Sequence, residues 1–334
     1  MTALVAAGVA ATLAAGPLEA AADNGWQEAV VSVSDLEART DLFRRTLGFQ
    51  VVRRGRVTAA ELEGWDLPPD QSARYVLLAQ PGADGGWIRL VAFAGAGAQD
   101  RGRIRSSAQP WEPGGWSGLN VRVRNIDAVF RTLQHAGFQG FSDPVEFVAP
   151  PFRVREAMMV GPDGLVLGLL ERIDPPFEGA GWTNLVSRPV TAFAVTTRPD
   201  ATAEALTRIG LRTRLSFDGP AAEPGPNLFA LPHDVVGRAR RSVRWWQAAG
   251  REEGTIATIA FEGVLGRSHE QSAGPPALGL FALRLPVRDP AARCSAGGGV
   301  ARPATIAPYG RVLTCTIRLP DGAMLDIVGP RPGS

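Results

Sequence analysis

The chain has 334 residues, 45% hydrophobic and 20% charged, which allows a substantial core and about two domains. Its 35 Lys and Arg offset 33 Asp and Glu to a net charge of +2, a balance that gives no support for a nucleic-acid binder, which should show a strongly basic face. The first predicted element is the apolar run 4–16, too short to cross a bilayer, which takes roughly 20 residues. Pro17 and the small-residue stretch Ala20-Ala21-Ala22 follow it, so residues 1–22 read as a signal peptide and the protein as exported to the periplasm or beyond. The basic segment that normally precedes such a run is missing, which leaves an extra N-terminal helix in a cytoplasmic protein as the alternative.

From residue 23 onward one pattern recurs. In AVVSVSDLEARTDLFRRTLGFQVV (29–52), an alternating strand ends at Asp35, an amphipathic helix follows, and Leu-Gly-Phe leads into another strand. LNVRVRNIDAVFRTLQHAGFQGF (119–141) repeats this with Asp127, FAVTTRPDATAEALTRIGLRTRL (193–215) repeats it again, and FALRLPVRDPAARCSAGGGVARP (281–303) is a shorter fourth copy with Asp289. Asp35, Asp127 and Asp289 are placed to cap their helices, and the glycines to end them. Further strands complete each copy: ARYVLLAQ and GWIRLVAF; VREAMMV and LVLGLLE; NLFALP and TIATIAF; RVLTCTIRLP and AMLDIVG. Asp163-Gly164 and Asp321-Gly322 read as tight hairpin turns before the last strands of units two and four. Each unit is therefore β-α-β-β-β, an α+β fold. The arginine-rich GRARRSVRWW (237–246) reads as a solvated helix face with Trp245 or Trp246 beneath it. Cys294 in a helix and Cys315 in a strand could form a disulfide in an exported protein, or remain buried thiols in a reducing compartment.

The motif V-x-V-x-D-L-E…F…LGF, closed by Pro-Asp-Gly and a last strand, resembles the vicinal oxygen chelate superfamily. That group includes glyoxalase I, extradiol dioxygenases and bleomycin resistance proteins. The resemblance implies two cupped mixed-sheet domains, each from two consecutive units: 23–174 from units one and two, 189–330 from units three and four, with 175–188 as linker. It also implies a divalent metal, held by His, Gln or Glu near the start of a unit's first strand and by Glu in its last. Carried onto this chain, those positions are Glu28 and Arg89 in unit one, Gly118 and Gly168 in unit two, and about Val190, Ala257, Ala282 and Asp326 in the second half. Only Glu28 and Asp326 suit a metal, and they are expected in different domains. None of His135, His233 and His269 falls in such a position, so no metal and no other cofactor is expected.

Glu28 and Arg89 should neighbour each other in the first cup. Two readings stay open: a working base with an oxyanion fork, or an ion pair filling a disused metal site. Trp26, Trp87 and Trp116 near strand ends, with Asn120 and Arg122 on the face of Gly118, are candidate ligand contacts. Gly118 and Gly168 would either open space for a ligand or relieve close packing. The expected partner is a small organic molecule, anionic or aromatic, without nucleic acid or a membrane span; a homodimer stays open. Three functions follow: a metal-free binding module, a cofactor-independent lyase or isomerase using Glu28 and Arg89, or a metal-dependent dioxygenase or glyoxalase. No nucleophile elbow, phosphate loop, dinucleotide fingerprint or paired-cysteine motif offers another chemistry.

Overall fold

A computed structural model describes residues 25–331 except 95–100, 106–108, 150, 178–181, 183, 222–226 and 249–252. The segment read as a signal peptide, and part of the expected linker, lie outside the described residues. Unit one comprises β1 (Glu28–Ser32), α1 (Leu36–Leu47), β2 (Gln50–Arg56), α2 (Ala59–Gly64), β3 (Ser72–Ala79) and β4 (Trp87–Ala94). Unit two comprises β5 (Gly118–Val123), α3 (Ile126–His135), β6 (Gln139–Gly140), β7 (Val145–Ala149), β8 (Phe152–Val160) and β9 (Val166–Asp174). Unit three comprises β10 (Pro189–Val195), α4 (Pro199–Arg208), β11 (Arg212–Pro220), α5 (His233–Val236), β12 (Arg240–Gln247) and β13 (Thr255–Glu262). Unit four comprises β14 (Gly279–Pro286), α6 (Pro290–Ala296), β15 (Arg302–Ile306), β16 (Gly310–Arg318) and β17 (Met324–Pro330).

Local chemistry explains most of these elements. Asp35 accepts from the backbone N–H groups of Glu37 and Ala38, and Gly48 ends α1 at φ 75°. Asp289 caps α6 in the same way. The cap of α3 is Asn125 rather than Asp127; Asp127 sits two residues on, within the first turn, and grips Arg155 through two hydrogen bonds of 2.8 Å. From Arg240 the arginine-rich 237–246 stretch is strand β12, not a helix, because Arg241, Val243 and Trp245 alternate with residues on the opposite face. NLFALP, held between prolines, forms a turn instead of the expected strand. Cys294 of α6 and Cys315 of β16 are joined by a disulfide. Among the described residues no helix is long and apolar enough to cross a membrane.

The units combine into two mixed sheets. One runs β15-β16-β17-β14-β1-β4-β3-β2, the other β11-β12-β13-β10-β5-β9-β8-β6 with β7 on β8. Antiparallel seams, β1 on β14 and β10 on β5, therefore pair unit one with four and unit two with three. Consecutive units do not share a cup as expected. They are instead held back to back. Asp163, in unit two's Pro-Asp-Gly turn, accepts from Ser34 Oγ (2.7 Å) and Arg39 Nε (2.8 Å) beside α1. Asp321, in unit four's turn, accepts from the Thr196 and Thr197 hydroxyls of unit three. Between the sheets lies the main core, built from residues such as Phe43, Leu47, Leu119, Leu133, Leu167, Leu206 and Leu325, all buried.

Candidate functional site

The crossed pairing brings Glu28, Arg89, Arg284 and Asp326 together on the inner face of the sheet shared by units one and four, the 1–4 cup. Ladder partners fix this: Glu28 lies opposite Arg284, and Arg284 opposite Asp326. The expected unit-four position, Ala282, is thus replaced by Arg284 two residues on. In the 2–3 cup the equivalent ladder joins Gly118, Phe193 and Ala257, so Phe193 stands where Val190 was expected.

In the 1–4 cup the charges interlock. Arg89 donates Nε and Nη2 to the two Glu28 oxygens at 2.5 and 3.1 Å, and its Nη2 also to the Ala307 carbonyl. Arg284 donates to Glu28 (2.8 Å), Glu61 (3.0 Å) and Asp326 (3.2 Å). Asp326 also accepts from the Trp65 indole (3.0 Å) and the Thr316 hydroxyl (2.7 Å). Glu28, Arg89 and Arg284 are each 0% exposed. Burial resists charge on Glu61, but Arg284, Arg89 and the Thr58 hydrogen bonds hold its carboxyl below the usual range. Burial raises Asp326 despite Arg284, and burial followed by the Glu28 charge pushes the Tyr309 hydroxyl well up.

The sequence reading missed Glu61, Trp65, Arg284 and Tyr309. Glu61 and Trp65 arrive on α2, a one-turn insertion fixed by a Thr58–Glu61 capping box, and T-x-x-E was its readable sign. Trp65 packs edge-on against Phe281 at 5.0 Å, and the Arg89 guanidinium lies 4.0 Å from the Tyr75 ring centre. The cup is filled by its own side chains. Two guanidiniums among the four positions oppose a divalent cation, and among the described residues no three His, Cys, Asp or Glu side chains converge as ligands. This donor set does not fit the implied metal.

The 2–3 cup is different. Gly118 and Gly168 do not hold space open: a Cβ on Gly118 would come 2.8 Å from the Phe193 ring, and one on Gly168 2.0 Å from Asn120 Oδ1. Its inner face is apolar, from Phe193, Val195, Val243, Ala257 and Ile259, all buried in one cluster with Leu228, Phe229, Leu231 and Val236, and with Trp245 and Phe261 half-buried beside it. Two charged groups share that face, Glu156 from β8 and Arg241 from β12. Burial pushes the Glu156 carboxyl up to about 7, with Arg241 near enough to oppose the shift.

The remaining sequence candidates scatter. Trp26 and Trp116 are core residues whose indoles donate to the carbonyls of Thr255 (2.6 Å) and Met324 (2.8 Å). Trp87 is half-buried at the rim of the 1–4 cup, 6.2 Å from the Tyr309 ring. Asn120 lies on the face of the 2–3 cup, while Arg122 is engaged by Glu253 at 2.7 Å. His269 is buried against Glu112 at 2.9 Å, and burial lowers its pKa. A surface groove of about 720 Å³ lies outside both cups, along Arg44, Arg45, Phe49 and Arg54.

The sequence matches no family model and no curated protein. Its structure resembles solved structures. Glyoxalase I from Zea mays superposes with a TM-score of 0.58 at 13% identity, covering 92% of each chain. A putative dioxygenase from Bacillus subtilis superposes at 0.54 and 17% identity, covering 94% of this chain and 87% of that one. The chain therefore has the fold of the glyoxalase/dioxygenase proteins, in a tandem form.

Proposed function

Starting from this glyoxalase-type fold, we propose that the protein binds a small organic molecule without a metal. The observation that carries this reading is the buried network of Glu28, Arg89, Arg284 and Asp326 at the strand positions where the resembled enzymes hold metal ligands, joined by Glu61 from α2. Glu28 already accepts three guanidinium hydrogen bonds, and neither it nor Arg89 is reachable from solvent. That geometry favours an ionic core over a base and oxyanion fork, because a general base needs a free lone pair within reach of its proton. Fold alone does not fix chemistry, so the binding reading rests on the site. Export is also proposed, supported by the Cys294–Cys315 disulfide together with the 1–22 leader pattern.

The test is a thermal-shift screen of small aromatic and carboxylic compounds, run in EDTA and repeated with Mn²⁺ or Zn²⁺. Stabilisation by at least one compound in EDTA, unchanged by added metal, is expected. Stabilisation only when metal is present, or by no compound under either condition, would overturn the proposal.

A further inference from the structure

Four strands end the two sheets: β15 and β2 in one, β11 and β6 in the other. An open edge presents unpaired N–H and C=O groups, and proteins usually blunt it with charge, proline or brevity. β6 has two residues. β15 carries Pro303, and its Ala304 carbonyl accepts from Arg331 at 3.2 Å. β2 carries Arg53, Arg54 and Arg56 without an acid, so a second β2 would be repelled. β11 differs. It pairs with β12 alone, carries charges of both signs, and is exposed from Arg212 to Asp218, including Leu215 at 57% and Phe217 at 40%.

The β11 sequence is complementary to itself. Its ladder with β12 puts Leu215 and Phe217 on one face, level with Trp245 and Val243, and Ser216 and Asp218 on the other, level with Arg244 and Ser242. A bulge lies between Thr213 and Leu215, and alternation from Leu215 puts Arg214 on the face of Ser216 and Asp218. A two-fold axis through an antiparallel strand pair keeps each face with its like, so it centres on one residue rather than between two. Centred on Ser216, two β11 strands bring Leu215 of each copy opposite Phe217 of the other, and Arg214 opposite Asp218, each pair made twice. Arg240 takes Oδ1 of Asp218 at 2.8 Å, which leaves Oδ2 for the second copy. Centred on Leu215, Phe217 would meet Thr213; centred on Phe217, Leu215 would meet Gly219 and Arg214 would meet Pro220. Only the Ser216 centre matches both apolar side chains as well as the charges.

We propose that β11 is the interface of a symmetric homodimer, in which a second copy of this chain continues the nine-stranded sheet antiparallel across a two-fold axis at Ser216. Main-chain hydrogen bonds run along the two strands. Leu215–Phe217 pairs flank the axis on one face, and Arg214–Asp218 pairs flank it on the other. A two-fold contact is closed, so it consumes the apolar edge without open-ended growth, and the remaining edges are already blunted. One strand pair is a small interface, so the dimer should dissociate on dilution, with a Kd on the order of 10 µM.

The experiment is sedimentation equilibrium of the full-length protein, for wild type, Phe217→Lys, Asp218→Arg and the exchange Arg214→Asp/Asp218→Arg. A concentration-dependent monomer–dimer equilibrium is expected for wild type, weakened about tenfold or more by Phe217→Lys and by Asp218→Arg, and recovered in the exchange. Both cysteines are joined in the disulfide, so Ser216→Cys supplies the single free thiol. Opposed residues of antiparallel strands lie about 4.5–5.5 Å apart at Cα, within disulfide reach, so mild oxidation should cross-link Ser216→Cys but not Asp218→Cys. A monomer at every concentration, larger oligomers, a dimer indifferent to Phe217→Lys, an exchange that recovers nothing, or equal cross-linking of the two cysteine variants would overturn the proposal.

Discussion

Replacing Arg284 with Met should cost the protein about 4 kcal/mol at pH 7.5. Arg284 bonds three carboxylates at 2.8, 3.0 and 3.2 Å, and every partner is at most 5% exposed. Removing one partner from a buried ion pair costs about 3–5 kcal/mol, because the remaining charge is left uncompensated. The losses do not add threefold. Glu28 keeps Arg89, Asp326 keeps Trp65 and Thr316, and Glu61 keeps Thr58. Proton uptake gives the second signature. Without Arg284 the Glu61 and Asp326 carboxyls titrate higher, each pKa unit being worth about 1.4 kcal/mol, so the deficit should shrink as the pH falls to 5. Urea unfolding of wild type and variant at both pH values, followed by tryptophan fluorescence and circular dichroism, measures it. A loss below about 1 kcal/mol at pH 7.5, or one independent of pH, would refute the claim that the 1–4 cup is held by this network.

Glu156 predicts the opposite sign. Its folded pKa, raised by burial to about 7, lies above the ordinary 4.5, so its contribution to stability is complete below about pH 4.5 and disappears as pH rises through 7. Glu156→Gln should therefore gain on wild type above pH 7, by about 3 kcal/mol at most and nearer 2 after solvent screening of a half-exposed group; urea midpoints at pH 4.5 and 8 that shift equally would contradict this. The Cys294–Cys315 bond spans 21 positions and should contribute about 3 kcal/mol, so dithiothreitol should lower the melting temperature of wild type but not of a Cys294→Ala/Cys315→Ala variant. An unchanged melt on reduction, with free thiols detected, would remove that role.

The units themselves were legible because their signals are local. Alternation defines β1 and β5, Asp35 and Gly48 bracket α1, and the Asp163 turn has φ 62° followed by 82° at Gly164, as a tight hairpin needs. Their partners were not legible. Nothing in β1 tells whether its free edge meets unit two or unit four; that choice comes from Asp163 and Asp321 fastening neighbours back to back. The same blindness separated Glu28 from Asp326 and hid Arg284, whose register depends on a seam that includes a bulge between Val30 and Val31. Arg89 was found because the resemblance puts a ligand position inside WIRLV; Arg284, a lone charge within FALRLPV, lies two residues beyond the position the resemblance gave in unit four. Glu156 and Arg241 gave weaker signals, because each sits among other charged residues along its strand.

The most direct test of the metal-free proposal is calorimetric titration of EDTA-treated wild type with Mn²⁺, Zn²⁺ and Fe²⁺, the last under anaerobic conditions. An ionic core at Glu28, Arg89, Arg284 and Asp326 predicts no stoichiometric uptake of any of the three ions. One equivalent bound with micromolar or tighter affinity, and lost on Glu28→Gln in a folded variant, would contradict it.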